Sequence, residues 1–104
     1  DLTNVDVPTK LNLPPIKSID SDLSNVAAVT KDGRLFAWGS FKVTGSKADQ
    51  IGPQYWGGSR IISQPIEILI GENERIQDVA IGTKVKLALT ADGKIKSWDT
   101  IRAD

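Results

Sequence analysis

The stretch VTKDGRLFAWG at residues 29–39 returns, nearly paraphrased, as LTADGKIKSWD at residues 89–99. Setting Trp38 on Trp98 gives an offset of 60 residues that also superposes Ile16 on Ile76, Ala28 on Ala88, Thr30 on Thr90, Asp32 on Asp92 and Gly33 on Gly93. Self-similarity in one register is the signature of an architecture assembled from a single supersecondary unit. A proline-led apolar stretch precedes each unit, PTKLNL from Pro8 and PIEILI from Pro65, and the turn GENE at residues 71–74 absorbs a three-residue difference in spacing. The chain therefore divides into a repeat unit at 8–39, an inter-unit loop at 40–64 and a second unit at 65–99, all within one domain over 1–104.

Each unit reads as short strands. The pieces IKSID, NVAAVT and RLFAW are brief, rich in β-branched or apolar residues and punctuated by Asp, Ser and Gly, and no 3.6-residue period lasts for helix length. Asp-Gly between two such runs is a strong hairpin signal. Treating Asp32-Gly33 as a two-residue loop pairs Thr30 with Leu35, Val29 with Phe36, Ala28 with Ala37 and Ala27 with Trp38. Paired residues share a face, so Val29, Phe36 and Trp38 make a bulky face and Thr30, Leu35, Ala28 and Ala37 a slim one. Likewise Leu89, Lys96, Leu87 and Trp98 fall opposite Thr90, Ile95, Ala88 and Ser97. Sheets that are bulky on one side and small but apolar on the other suit a stack, as propeller blades do.

Composition limits the chemistry. Of 104 residues, 39% are hydrophobic and 25% charged, as expected of a globular domain. Thirteen Lys and Arg balance thirteen Asp and Glu, which leaves no net field to hold a polyanion, so nucleic acid is disfavoured as a partner. Cys, His and Met are absent, excluding disulfides, thiolate or imidazole metal sites, a Cys nucleophile and a His relay. No apolar run approaches the roughly 20 residues of a membrane-spanning helix, and no membrane partner is expected. The cysteine count assigns no compartment. The chain starts at Asp1, as expected of a processed, trimmed or longer parent.

The segments VAAVTKDGRLFAWG and IQDVAIGTKVKLALTADGKIKSWD resemble the repeat of the regulator of chromosome condensation family, whose members usually close seven units into a β-propeller. The shared elements are the Ala-Leu/Val-Thr strand, the Asp-Gly turn, the Trp that ends the next strand, Gly39 after it in the first unit, and VAIG at residues 79–82. The family's His-Thr pair falls on Asn25-Val26 and Val85-Lys86, Asp22 stands where Gly82 does in the second unit, and the Gly-Gln-Leu-Gly stretch is absent from SFKVTGSKADQIG. The resemblance implies an all-β chain of two four-stranded propeller units. Propellers need about four to eight blades, so the expectation is a partial propeller, completed by other chains or cut from a longer one. Lys96 at the Phe36 position marks the second unit as partly wet or capped.

Candidate sites are few. Trp38 and Trp98 read as core rather than as sugar platforms, because they recur at one repeat position. Lys86 and Asp99 face each other in the expected pairing, as an ion pair. Asp20 with Asp22, and Glu72 with Glu74, sit beside turns rather than across a cleft, unlike a glycosidase pair, and VTGSK at 43–47 lacks phosphate-loop spacing. No catalytic or metal site and no cofactor is expected. Within FKVTGSKADQIGPQYWGGSR, aromatic and Arg residues of the kind that dominate binding hot spots make Tyr55, Trp56 and Arg60 the expected binding anchors, with Phe41 weaker; the alternative is that Tyr55 and Trp56 plug the blade. The leading expectation is a non-enzymatic protein-interaction or assembly scaffold, self-associating or completed by a protein partner. Two alternatives stay open: the family's nucleotide-exchange activity on a small GTPase with chromatin binding, and carbohydrate binding by an oligomeric propeller.

Overall fold

The computed structural model describes residues 11–54, 56–71, 74–82 and 84–104, and the chain is all-β. Its strands are β1 (Ile16–Ser21), β2 (Asn25–Thr30), β3 (Leu35–Thr44), β4 (Ser59–Ile68), β5 (Ile76–Ile81), β6 (Lys86–Thr90), β7 (Ile95–Trp98) and β8 (Thr100–Arg102), with one helical turn, α1 (Ala48–Ile51).

Both Asp-Gly turns are built alike, and each is one residue longer than expected. The Thr30 N–H donates to the Arg34 carbonyl at 2.8 Å and the Gly33 N–H to the Thr30 carbonyl at 3.0 Å; Thr90, Gly93 and Lys94 repeat both distances. The threonine hydroxyl accepts the N–H of Arg34, or of Lys94, at 2.9 Å and donates to the carboxylate of Asp32 or Asp92. This is a three-residue loop with glycine in the left-handed region, Gly33 at φ 88° and Gly93 at φ 92°. The expected pairings are thereby corrected by one residue: Val29 faces Leu35, Ala28 faces Phe36, Ala27 faces Ala37 and Val26 faces Trp38. The slip reshuffles the bulky and slim sides. One face of the hairpin now carries Ala27, Val29, Leu35 and Ala37, and the other Val26, Ala28, Phe36 and Trp38.

The expected four-plus-four division is also corrected. The first sheet runs β1-β2-β3-β4 with β8 added to β3, and the second has three strands, β5-β6-β7. Segment 40–64, expected as a loop, is strand at both ends, because β3 continues to Thr44 and β4 begins at Ser59. The signal was there in the alternation of buried Phe41 and Val43 with exposed Lys42 and Thr44. Lys42 is paired on both sides, with Ser59 and with Thr100, so β8 fills the side of β3 that β2 has vacated. It runs parallel to β3, whereas every other pairing between named strands is antiparallel. Gly39 permits the handover: its φ is 103°, and a Cβ there would lie 2.4 Å from the Ser24 carbonyl oxygen.

The sheets stack through unlike faces. Ala27, Val29 and Leu35 of the first pack against Ile76, Val79, Ile81 and Ala88 of the second, each large side chain contributing roughly 1.5–3 kcal/mol on burial. Polar contacts key the stack. The Ile76 N–H donates to the Gly33 carbonyl at 2.9 Å, the Ile81 N–H to Asp20 Oδ2 at 2.7 Å, and Ser18 Oγ to Asp78 Oδ1 at 2.5 Å.

Two predictions test this turn and strand geometry. Gly93→Ala, with nothing within 4 Å of the new Cβ, should cost about 1–2 kcal/mol for the left-handed backbone alone. Gly39→Ala should cost about 1–3 kcal/mol more for its collision with the Ser24 backbone, and urea unfolding measures both. Separately, the Thr30 hydroxyl holds the Asp32 carboxyl below its ordinary pKa, helped by Arg34, and the Thr90 hydroxyl does the same for Asp92, helped by Lys94. A depressed folded pKa gives stability that is complete above the unfolded value, about 3.9, and is lost as pH falls through the folded one. The double variant Asp32→Asn, Asp92→Asn should therefore lose stability at neutral pH and show a shallower acid limb in unfolding measured from pH 6 downward.

Candidate functional site

The expected binding cluster resolves into a buried hub and a turn. Phe41, on β3, faces Arg60, on β4, across the strand pair, so these two anchors do come together. They do so inside the fold. Phe41 is 2% exposed and its ring stacks on Trp98 of the second sheet, centroids 5.7 Å apart and planes within 14°; its role is to join the sheets, which corrects the expectation of a surface anchor. The Lys86 ammonium lies 5.6 Å from the Phe41 centroid, within cation–π range. Lys86 is paired with Trp98 and not, as expected, with Asp99, a direct consequence of the one-residue slip at the turn.

Arg60 acts as a latch. Its Nη1 donates to the Gly52 carbonyl at 3.1 Å and meets Asp49 Oδ1 at 2.9 Å, holding the segment that leads out of α1 against β4. Trp56 lies in a three-residue 3-10 turn, Trp56–Gly58, and Tyr55 lies outside the described residues. Trp98 packs against both apolar clusters and Trp38 against the one centred on Phe41, in keeping with a core role.

Of the carboxylates expected to be structural, Asp20 and Asp22 are engaged by backbone N–H groups, Glu74 pairs with Lys96 at 3.7 Å, and Glu72 lies outside the described residues. Asp20 accepts the N–H of Ser21 at 2.9 Å and of Ile81. Asp22 accepts the N–H of Ser24 and of Asn25, at 2.9 and 3.0 Å, and the Ser24 bond leads the lowering of its pKa. Among the described residues no group of three or more Asp, Glu, His or Cys could hold a metal, and no helix is long and apolar enough to cross a membrane.

The surface with the clearest capacity for binding is one the sequence reading missed. On the side of the second sheet that faces away from the first, Ala80, Leu87, Leu89 and Ile95 border a shallow depression of about 180 Å³, and Ile95 is 69% exposed. The two-residue turn had set Ile95 on the slim side with Ala88; in the structure it pairs with Leu89, and Leu87 with Ser97. Repeat equivalence was the available signal. Leu87, Leu89 and Ile95 stand at the positions of Ala27, Val29 and Leu35, the very residues that the second sheet covers. No protein-family model and no curated protein sequence matches this chain.

Arg60→Ala removes a charge-assisted bond worth about 1.5–3 kcal/mol. Amide exchange across residues 48–52 should accelerate about tenfold or more while β2 and β3 keep their protection, as hydrogen exchange would report.

Proposed function

We propose that the chain is a non-enzymatic protein-interaction and assembly module, a partial β-propeller of two repeats of the regulator of chromosome condensation type. One observation carries the reading: the outer face of the second sheet is the repeat counterpart of a face that the first sheet keeps covered. At one repeat position Leu35 is 1% exposed and Ile95 is 69% exposed. The difference is the presence or absence of a neighbouring sheet, because both side chains are apolar and sit just beyond the same turn. Contiguous apolar surface of this kind marks interaction sites in soluble proteins.

The geometry has the features of a scaffold rather than of an enzyme. Asp20, Asp22 and Asp78 accept backbone N–H groups, buried Phe41 joins the sheets by stacking on Trp98, and the open face is lined by apolar side chains with Asp78 at its margin. A partner would gain by covering Leu87, Leu89 and Ile95 and by extending the stack, not by delivering a substrate to a reactive group.

A photo-crosslinking side chain at position 95 tests the proposal, with one at the exposed position 31 as control. In extract of the native host, position 95 should form discrete protein adducts that position 31 does not. Equal labelling at the two positions, or none at 95, would remove the interaction reading.

A further inference from the structure

We infer that the outer face of the second sheet docks a second copy of this chain, head to tail, on the outer face of that copy's first sheet. The inference rests on the repeat-module reading above and adds the identity of the partner. The chain carries both halves of the contact, because its own sheet-to-sheet interface joins the same two kinds of face. Within one chain, Ala27, Val29 and Leu35 of the first sheet meet Ile76, Val79 and Ala88 of the second. Sixty residues on, the first set becomes Leu87, Leu89 and Ile95; sixty residues back, the second becomes Ile16, Ile19 and Ala28. These counterparts are apolar, and the one exception on the covered face, Ile81, has as its counterpart Ser21, the last residue of β1. The intermolecular contact is thus continuous with the intramolecular one, repeating its chemistry in the next layer.

One position on each face shows the contrast in exposure, while Ala28 is buried and Ile16, Leu87 and Leu89 are half-buried. Val79 is 7% exposed where the first sheet covers it, and its counterpart Ile19 is 60% exposed; Leu35 and Ile95 show the same contrast on the complementary face. The turns agree, since a Cβ on Gly33 would lie 3.0 Å from the Arg75 side chain of the second sheet, whereas one on Gly93 would meet nothing within 4 Å. Charge does not oppose the docking. The outer face of the first sheet carries Arg34 over the Phe36 ring, 5.0 Å from its centroid, held by Glu67. The second sheet carries a cation and a carboxylate at the matching place, Lys96 and Glu74, 3.7 Å apart, and it is stacked nonetheless.

The free edge of the second sheet points the same way. In the first sheet β4 lies beside β3, while β7 has no such neighbour among the described residues. Leu11 and Leu13, which belong to the stretch matching that of Pro65 to Ile70, are outside any strand; in a head-to-tail pair they would lie at the edge of the neighbouring copy's β7. Such an interface is heterologous, so it builds a ring if the rotation closes and a filament if it does not. With two units per chain, a ring of about four to eight blades would take about two to four copies.

Sedimentation equilibrium of the 104-residue chain and two variants tests this. The wild type should weigh at least twice 11.2 kDa. Ile19→Arg blocks one face and Ile95→Arg the other, so each variant alone should be monomeric with its near-ultraviolet circular dichroism retained. Mixed, they should form a one-to-one dimer and stop there, because each keeps one good face. Should an arginine variant lose its fold, Ile19→Thr and Ile95→Thr, which keep β-branching, carry the same comparison. A folded wild-type monomer, single variants that remain oligomeric, or a mixture that stays monomeric would each overturn the inference. A folded monomer that still crosslinks through position 95 to a different polypeptide would overturn the second-copy partner and leave the interaction module standing.

Discussion

The hydroxyl of Thr30, with its copy at Thr90, is the small constraint on which the rest of the architecture depends. By accepting the N–H two residues beyond Asp32 and donating to the Asp32 carboxylate, it holds a three-residue loop in place of a two-residue one. Side chains alternate with a period of two along a strand, so one extra residue in the loop exchanges the face of the whole following strand relative to the preceding one. Leu35 thereby joins Val29 and Ala27 in the core. Ile95 is sent by the same rule to the same side of its own sheet, where it is left 69% exposed.

A second constraint holds the two sheets as one object. Phe41 comes from the extension of β3 beyond Gly39, and Trp98 from the last position of β7. Their stacking is reinforced by β8, which leaves the second sheet at Asp99 and adds itself to β3. The second sheet therefore has a covalent and a hydrogen-bonded tie to the first as well as an apolar one. Buried Lys86 fits this hub because its ammonium finds the face of Phe41 where a carboxylate had been expected.

How much of this was legible follows from which signals are local. The repeat, the strands of each hairpin and the positive φ of the turn glycines could be read from Asp-Gly between apolar runs. Loop length could not, because it turns on whether the preceding residue can hydrogen-bond across the turn; Thr30 and Thr90 end their strands, and nothing in the Asp-Gly signal says that they pair with Arg34 and Lys94 rather than with Leu35 and Ile95. The error carried over to Lys86 and Ile95, both placed by that register. Arg60 and Phe41 carry the residue types of binding anchors, but aromatic and Arg content cannot tell a latch or a buried sheet contact from an exposed anchor without the alternation along β3. The glycines and polar residues of segment 40–64 obscure that alternation, so the sequence reads as loop where β3 and β4 extend into it.

The exposed face also bears on how the chain holds together. The second sheet has three strands and one covered face, so it draws its stability from Ile76, Val79 and Ile81 on one side and from the ties at Trp98 and β8. The first sheet adds β4 and the Phe41 cluster to the same shared interface. Local opening follows local packing, which makes the second sheet the part whose order is most sensitive to being covered. A partner that binds only the folded sheet would stabilise it by mass action. For a stack completed as proposed, binding and completion of the fold would then be the same event, because each added sheet would supply the missing core of its neighbour.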